Sequence, residues 1–267
     1  MTSIELTVVE QIIRAGRTFQ LTFMVIMGIL AFLAYRLAKR GREWKIKPLE
    51  AIEMLTEGVG RAAEMGRPIL YLPGISGLSS AQTMAGLTVF GEVCQKAAEI
   101  GVTTHLVTSG TDVVAACEAI VRQVYTTIGK PELYQPGKYV KWYGADQFVY
   151  AIGAAGHILL DKPAFVVQCG YFLSDVIVAG ETASRVGAMQ VGGTADQSGL
   201  PLMGICCDSL LIGEEIYAAS ASITGDKLAT ATLAGEDWVK AILLLLMIVG
   251  VLAWAAGSKD IWSLMGM

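Results

Sequence analysis

RPILYLPGISGLSSAQTMAGLTVFGEVCQKAAEIGVTTHLVTSG, residues 67–110, carries two short apolar runs separated by a long helical pattern. The run 67–74 closes on Pro-Gly and reads as a strand, Ser79 to Gly101 reads as a helix, and 102–110 reads as a second strand. Parallel strands need a crossover of this length, so the stretch is one β-α-β unit. The same grammar extends in both directions. Upstream, Pro48 to Gly66 reads as a helix, with proline at its start and glycine at its end. Downstream, helices are expected over Asp112 to about Ile128, Asp146 to Leu160, Leu173 to about Gly187 and Ser209 to about Ser222. Strands are expected over 139–144, 163–170, 188–193 and 201–207. The strands are continuous apolar runs, as when helices cover both faces. The fold expected is therefore α/β, a largely parallel, doubly wound (Rossmann-like) sheet.

Glycines close most of these strands: Gly74, Gly110, Gly144, Gly170 and Gly192–Gly193. Polar residues follow at Ser79, Asp112, Asp146, Asp175 and Asp208. In an open parallel sheet these positions share the carboxyl edge, where ligands usually bind. The candidate ligand-binding set is Gly74, Ser76, Gly77, Ser79, Gly110, Asp112 and Asp146. A structural reading competes: the glycines make tight turns and the acids cap helices. The loop 72–83, LPGISGLSSAQT, has the composition of a phosphate loop but lacks the Gly-Lys-Ser/Thr ending, and the dinucleotide fingerprint is absent. GGTADQSG (192–199) reads as a second, flexible or interface loop. His105 and His157 read as satisfied, partly buried histidines rather than as bases or ligands. No hydrolase or zinc-protease motif occurs, so no catalytic residue, metal ligand or cofactor is named. The five cysteines form no zinc spacing and read as small buried residues of a reducing compartment; vicinal Cys206–Cys207 is the one candidate redox or metal pair.

The outer parts of the chain are of a different kind. Phe19 to Tyr35, FQLTFMVIMGILAFLAY, is uncharged over about 17 residues, enough to cross most of a bilayer core of about 30 Å. Arg36, Lys39, Arg40, Arg42, Lys45 and Lys47 follow, opposed only by Glu43, and basic residues collect on the cytoplasmic side. A second apolar run, Ala241 to Ala256, lies between Trp238 and Trp254. The expected organisation is an amphipathic segment over 1–18, a transmembrane helix over 19–38 and a basic linker over 39–47. A cytoplasmic α/β domain over 48–237, a second transmembrane helix over 238–256 and a tail over 257–267 complete it. Both termini are expected outside an inner membrane, with lipid as a partner.

Composition narrows the function further. The hydrophobic fraction is 54% and the mean hydropathy +0.54. Residues 48–237 hold ten basic and twenty acidic residues, an acidic balance that argues against nucleic acid. That is sparse charge for a soluble domain, and Ala and Gly are plentiful over 176–235. Such a surface is expected to be covered by copies of itself, with other membrane proteins as further candidate partners.

The basic linker with EAIEMLTEGVGRAAEMGRPILYLPGISGL (50–78) and QTMAGLTVFGEVCQKAAEIGVTTHL (82–106) resembles an uncharacterised prokaryotic integral-membrane protein family of unknown function, found in archaea and some bacteria. The resemblance covers most of residues 20–255 and implies a two-span layout. It brings no activity or site residues. Two functions are therefore expected. The first is a membrane-anchored domain that self-associates as a homo-oligomeric scaffold. The alternative is a membrane-tethered small-ligand, nucleotide-binding or enzymatic domain with its site at the strand ends.

Overall fold

The computed structural model describes residues 18–40, 49–225 and 227–255. Residues 1–17 of the amphipathic segment, residues 41–47 of the basic linker and the tail lie outside the described residues. The chain divides into two compact units, Ile46–Gly225 and the two flanking segments together.

The flanking unit contains helices α1 (Thr18–Lys39) and α9 (Lys227–Ala255), which pack on each other. Their buried residues are mostly small, Ala34, Ala38, Ala231 and Ala234, while Met24, Phe32, Leu244 and Met247 are exposed. Among the described residues no helix is long and apolar enough to cross a membrane.

The central unit runs α2 (Glu50–Met65), β1 (Ile69–Gly74), α3 (Ala81–Glu99), β2 (Thr104–Thr108), α4 (Thr111–Thr127), β3 (Val140–Trp142) and α5 (Gln147–Asp161). It continues β4 (Phe165–Tyr171), α6 (Asp175–Arg185), β5 (Met189–Thr194), α7 (Leu200–Cys206), β6 (Ser209–Ile212) and α8 (Glu215–Thr224). The six strands form one sheet in the order β3-β2-β1-β4-β5-β6. Every neighbouring pair is parallel, with Leu70 opposite His105 on one side of β1 and Val166 on the other.

Alternation along each strand divides the core between two faces. Ile69, Tyr71, Leu106, Phe165, Val167 and Val191 pack with α2, α3, α4 and α8. Leu70, Leu72, Val107 and Val166 pack with α5, α6 and α7. The doubly wound α/β sheet expected from the alternating elements is thus present.

The second face also buries a polar pair. Gln168 in β4 donates from Nε2 to Gln190 Oε1 (3.4 Å), and Gln190 donates to the Gly180 carbonyl (3.0 Å) and Ser184 Oγ (2.9 Å). Both residues are at most 2% exposed.

The last strand falls elsewhere than expected. Residues 201–206 fall in α7, Cys207 follows it, and 209–212, expected as helix, form β6. Pro201, at the first turn of α7, has a φ preset for helix and lacks only a donor that the first turn does not use. An apolar run this short cannot be assigned by periodicity alone.

Candidate functional site

In this strand order the connections reverse direction between β1 and β4, the place where such sheets usually bind ligands. Here the two strand ends interlock. Ile75 donates its amide to the Tyr171 carbonyl (2.9 Å). Gly74 has φ +88°, and a Cβ on it would collide with that same carbonyl; a Cβ on Gly170 would collide with the carbonyl of Pro73.

Beside this closure, Asp112 accepts a hydrogen bond from the Leu78 amide (2.7 Å), which holds its carboxyl below the usual range. Its Oδ2 lies 2.7 Å from where a Cβ on Gly77 would stand, and its Oδ1 2.9 Å from one on Gly110. Ser109 donates to the Gly74 carbonyl (3.4 Å). Gly74, Gly77, Gly110 and Asp112 are therefore brought together in a knot between the β1–α3 loop and the β2–α4 turn. Ser76 and Ser79 lie in that loop. Asp146 stands apart after β3. Its Oδ1 accepts from the amides of Phe148 (2.9 Å) and Val149 (3.2 Å), an N-cap of α5. Asp112 and Asp146 are each bound to nearby backbone amides.

Of the other loop residues, Gly170 and Gly192–Gly193 stand near the ends of β4 and β5 and Asp175 begins α6, as expected, whereas Asp208 does not begin a helix. Asp208 precedes a strand rather than a helix, and its Oδ2 accepts from the Gln190 amide (2.8 Å). Asp175, at the start of α6, is 3% exposed. Its Oδ1 accepts from the Leu173 amide (2.9 Å) and from Gln147 Nε2 (3.0 Å), while Oδ2 is buried without a hydrogen bond. Burial raises its pKa.

A second constellation lies at the opposite, amino edge of the sheet. His105 is the second residue of β2, and His157 and Asp161 stand one turn apart at the end of α5. Asp161 Oδ2 is 2.6 Å from His105 Nδ1 and 3.1 Å from His157 Nε2. The two ring nitrogens are 3.3 Å apart. The other nitrogen of His157, Nδ1, is 3.1 Å from the Tyr143 hydroxyl. Burial lowers the pKa of His157; Asp161 opposes this, and His105 and Lys141 reinforce it. His105 and Asp161 also line a cleft of about 490 Å³ with Arg67 and Lys138. The expected satisfied histidines are both here and both hydrogen-bonded. Their convergence on one carboxylate is what separate readings missed. The legible signal was His157-x-x-x-Asp161, which places both side chains on one helix face.

The thiols are free, and Cys94, Cys117 and Cys169 are buried. Burial pushes the Cys207 thiol up to about 12 and raises that of Cys206 as well. Both are therefore neutral thiols at physiological pH, unlike the thiolate a redox nucleophile requires.

Comparison with known families agrees with a chain whose pattern runs almost from end to end. The family model of a domain of unknown function, DUF6754, matches residues 8–264. The chain belongs to that family. No curated protein and no solved structure matches it. Membership therefore joins the flanking helices and the α/β unit in one family pattern, and any function has to be argued from the side chains.

Proposed function

We propose that this protein is a membrane-anchored α/β domain that faces the cytoplasm and associates with copies of itself as a scaffold. The observation that carries the reading is the outer face of α5. Phe148, Ile152, Leu159 and Leu160 are 68%, 69%, 54% and 82% exposed. A Cβ added at Gly156, in the middle of the same helix, would meet nothing within 4 Å, so another backbone can approach closely there. Asp161, at its last position, is the only Asp, Glu, Lys or Arg of the helix. The adjoining Trp142 and Tyr143 are 48% and 41% exposed, and Ile177 and Val178 on neighbouring α6 extend the patch. A contiguous apolar surface of this kind is normally covered. A second copy is the partner favoured here, because tethering in one plane raises the local concentration of copies.

The anchor rests on sequence. The 22 residues of α1 hold no charge before Arg36, and the 15 residues from Ala241 to Ala255 of α9 hold none. Exposed Met24, Ile29, Phe32, Leu244, Met247 and Leu252 suit lipid rather than water. Native mass measured on the full-length protein in mild detergent tests the proposal. Wild type is expected to form a defined oligomer, and Ile152→Glu with Leu159→Glu to reduce it to monomer while the melting temperature is kept. A wild type that stays monomeric at high concentration refutes the reading.

One observation favours the alternative of a small-ligand site at the carboxyl edge. Asp175 offers a buried, unpaired oxygen near the reversal of strand order, and a ligand carrying a hydroxyl or amine could satisfy it. A thermal-shift screen with nucleotides and sugars against wild type and Asp175→Ala decides it. A ligand that stabilises only wild type would support this site.

A further inference from the structure

We propose that His105, His157 and Asp161 form a binding site for a divalent transition metal, with zinc the best fit. Tetrahedral zinc, with bonds of about 2.0–2.1 Å, sets its ligand atoms ~3.3 Å apart. The three candidate atoms here are 2.6, 3.1 and 3.3 Å from one another. Two edges of the triangle already lie near the required size. The short edge is the His105–Asp161 hydrogen bond, which a metal would replace and lengthen. Two imidazole nitrogens and one carboxylate oxygen suit zinc and its neighbours rather than calcium or magnesium, which favour all-oxygen sets.

The surroundings fit as well. Metal-bound histidines are held by a partner on the far ring nitrogen. Tyr143 supplies one, its hydroxyl lying 3.1 Å from His157 Nδ1. His157 thus has a partner at each ring nitrogen, Tyr143 at Nδ1 and Asp161 at Nε2. A metal takes Nε2 of His157 and Nδ1 of His105 without their protons, so each neutral ring carries its one proton on the far nitrogen, Nε2 in His105 and Nδ1 in His157, where it donates to the tyrosine oxygen. The side chains of His105 and Asp161 are 19% and 30% exposed and border the cleft, so a fourth position opens to water. Lys141 does not occupy that position, since its ammonium is held by the Gly137 carbonyl (2.8 Å). The site joins the start of β2 to the end of α5, at the edge opposite the strand carboxyl ends. A metal there would clip helix to sheet and steady α5.

The full-length protein in mild detergent, stripped by chelator and dialysed against micromolar zinc, should retain one equivalent per chain. Asp161→Asn and His105→Gln should retain none, Tyr143→Phe should bind ~10–100-fold more weakly, and Cys206→Ser with Cys207→Ser should bind as wild type. Cobalt substitution provides a check on wild type alone, should a histidine variant misfold. The proposal expects tetrahedral visible bands without thiolate charge transfer. A folded wild type that retains no zinc overturns the proposal, as does thiolate charge transfer or binding that survives both Asp161→Asn and His105→Gln.

Discussion

Gly86 lies in α3 where the helix presses on β4, and replacing it with alanine tests the packing of the whole domain. A Cβ at Gly86 would lie well inside contact distance of the Cys169 carbonyl oxygen and 3.0 Å from its carbonyl carbon. Unstrained carbon contacts sit near 3.5–4.0 Å, so helix and strand would have to part by roughly 0.5–1 Å. The obstacle is backbone, which cannot rotate away as a side chain can. Overpacking of this kind costs about 1–3 kcal/mol. Separation also strains the hydrogen bond from the Tyr71 hydroxyl to the Gly86 carbonyl. Tyr71 is fully buried, and leaving its hydroxyl unpaired costs a further 1–3 kcal/mol, roughly. The helix gains back about 1 kcal/mol from exchanging glycine for alanine. The net loss is about 3 kcal/mol, or roughly 6–12 °C in melting temperature for a unit of this size. Gly91, on the same helix, is the control. A Cβ there meets only Ile120 Cγ2, at 3.7 Å, so Gly91→Ala should be neutral or stabilising. Melting followed with a thiol-reactive fluorophore reports on this unit, because Cys94, Cys117 and Cys169 are buried in its core. Equal melting temperatures for the two variants would refute the close approach.

Other expectations concern charge. Burial raises the pKa of Asp175, so the folded state holds that proton more tightly than the unfolded chain. The stability this contributes is complete below the unfolded pKa and is lost as pH rises through the folded one. Asp175→Asn should therefore raise the melting temperature by ~2–4 °C at pH 8, for about 1 kcal/mol, with the gain vanishing in acid; a constant gain across pH would contradict the assignment. Asp112 has the opposite sign. Its carboxyl is held low by the Leu78 amide, so its contribution is present above the unfolded pKa and lost as pH falls through the folded one. Asp112→Asn should narrow the gap in melting temperature between neutral and acidic pH, though only slightly because Asp112 is exposed. Arg67 donates from Nη2 to the carbonyls of Pro163 (3.0 Å) and Val186 (2.9 Å), and from Nε to that of Lys162. Arg67→Ala should cost about 2–3 kcal/mol in denaturant unfolding, and Arg67→Lys should recover little, lacking the planar fork.

The α/β architecture was legible because strand and helix periods alternate cleanly and glycine or proline marks most turns. Strand order was not, since it depends on contacts far apart in sequence. The stretch 201–212 was misread because an apolar run with Pro201 near its start suits a short helix as well as a strand. The carboxyl-edge set was legible as turn chemistry. Asp146 caps its own helix as that chemistry requires, while Asp112 instead reaches across to the Leu78 amide beside Gly77 and Gly110. The histidine cluster escaped because His105 and His157 are 52 residues apart. Only the pairing of β2 beneath α5 unites them.

The buried glutamines of β4 and β5 bear on how the chain finds this arrangement. Parallel strands rich in valine and isoleucine-like side chains have many nearly equivalent ways to lie beside one another. Sliding either strand by one residue would turn its glutamine toward the largely apolar layer beneath α2 and α3, away from its partners on the other face. Native pairing instead sets Gln168 beside Gln190, and Gln190 against the Gly180 carbonyl and Ser184. The pair acts as a proofreading mark for the sheet, adding little to the depth of the correct energy minimum while raising the energy of its nearest competitors.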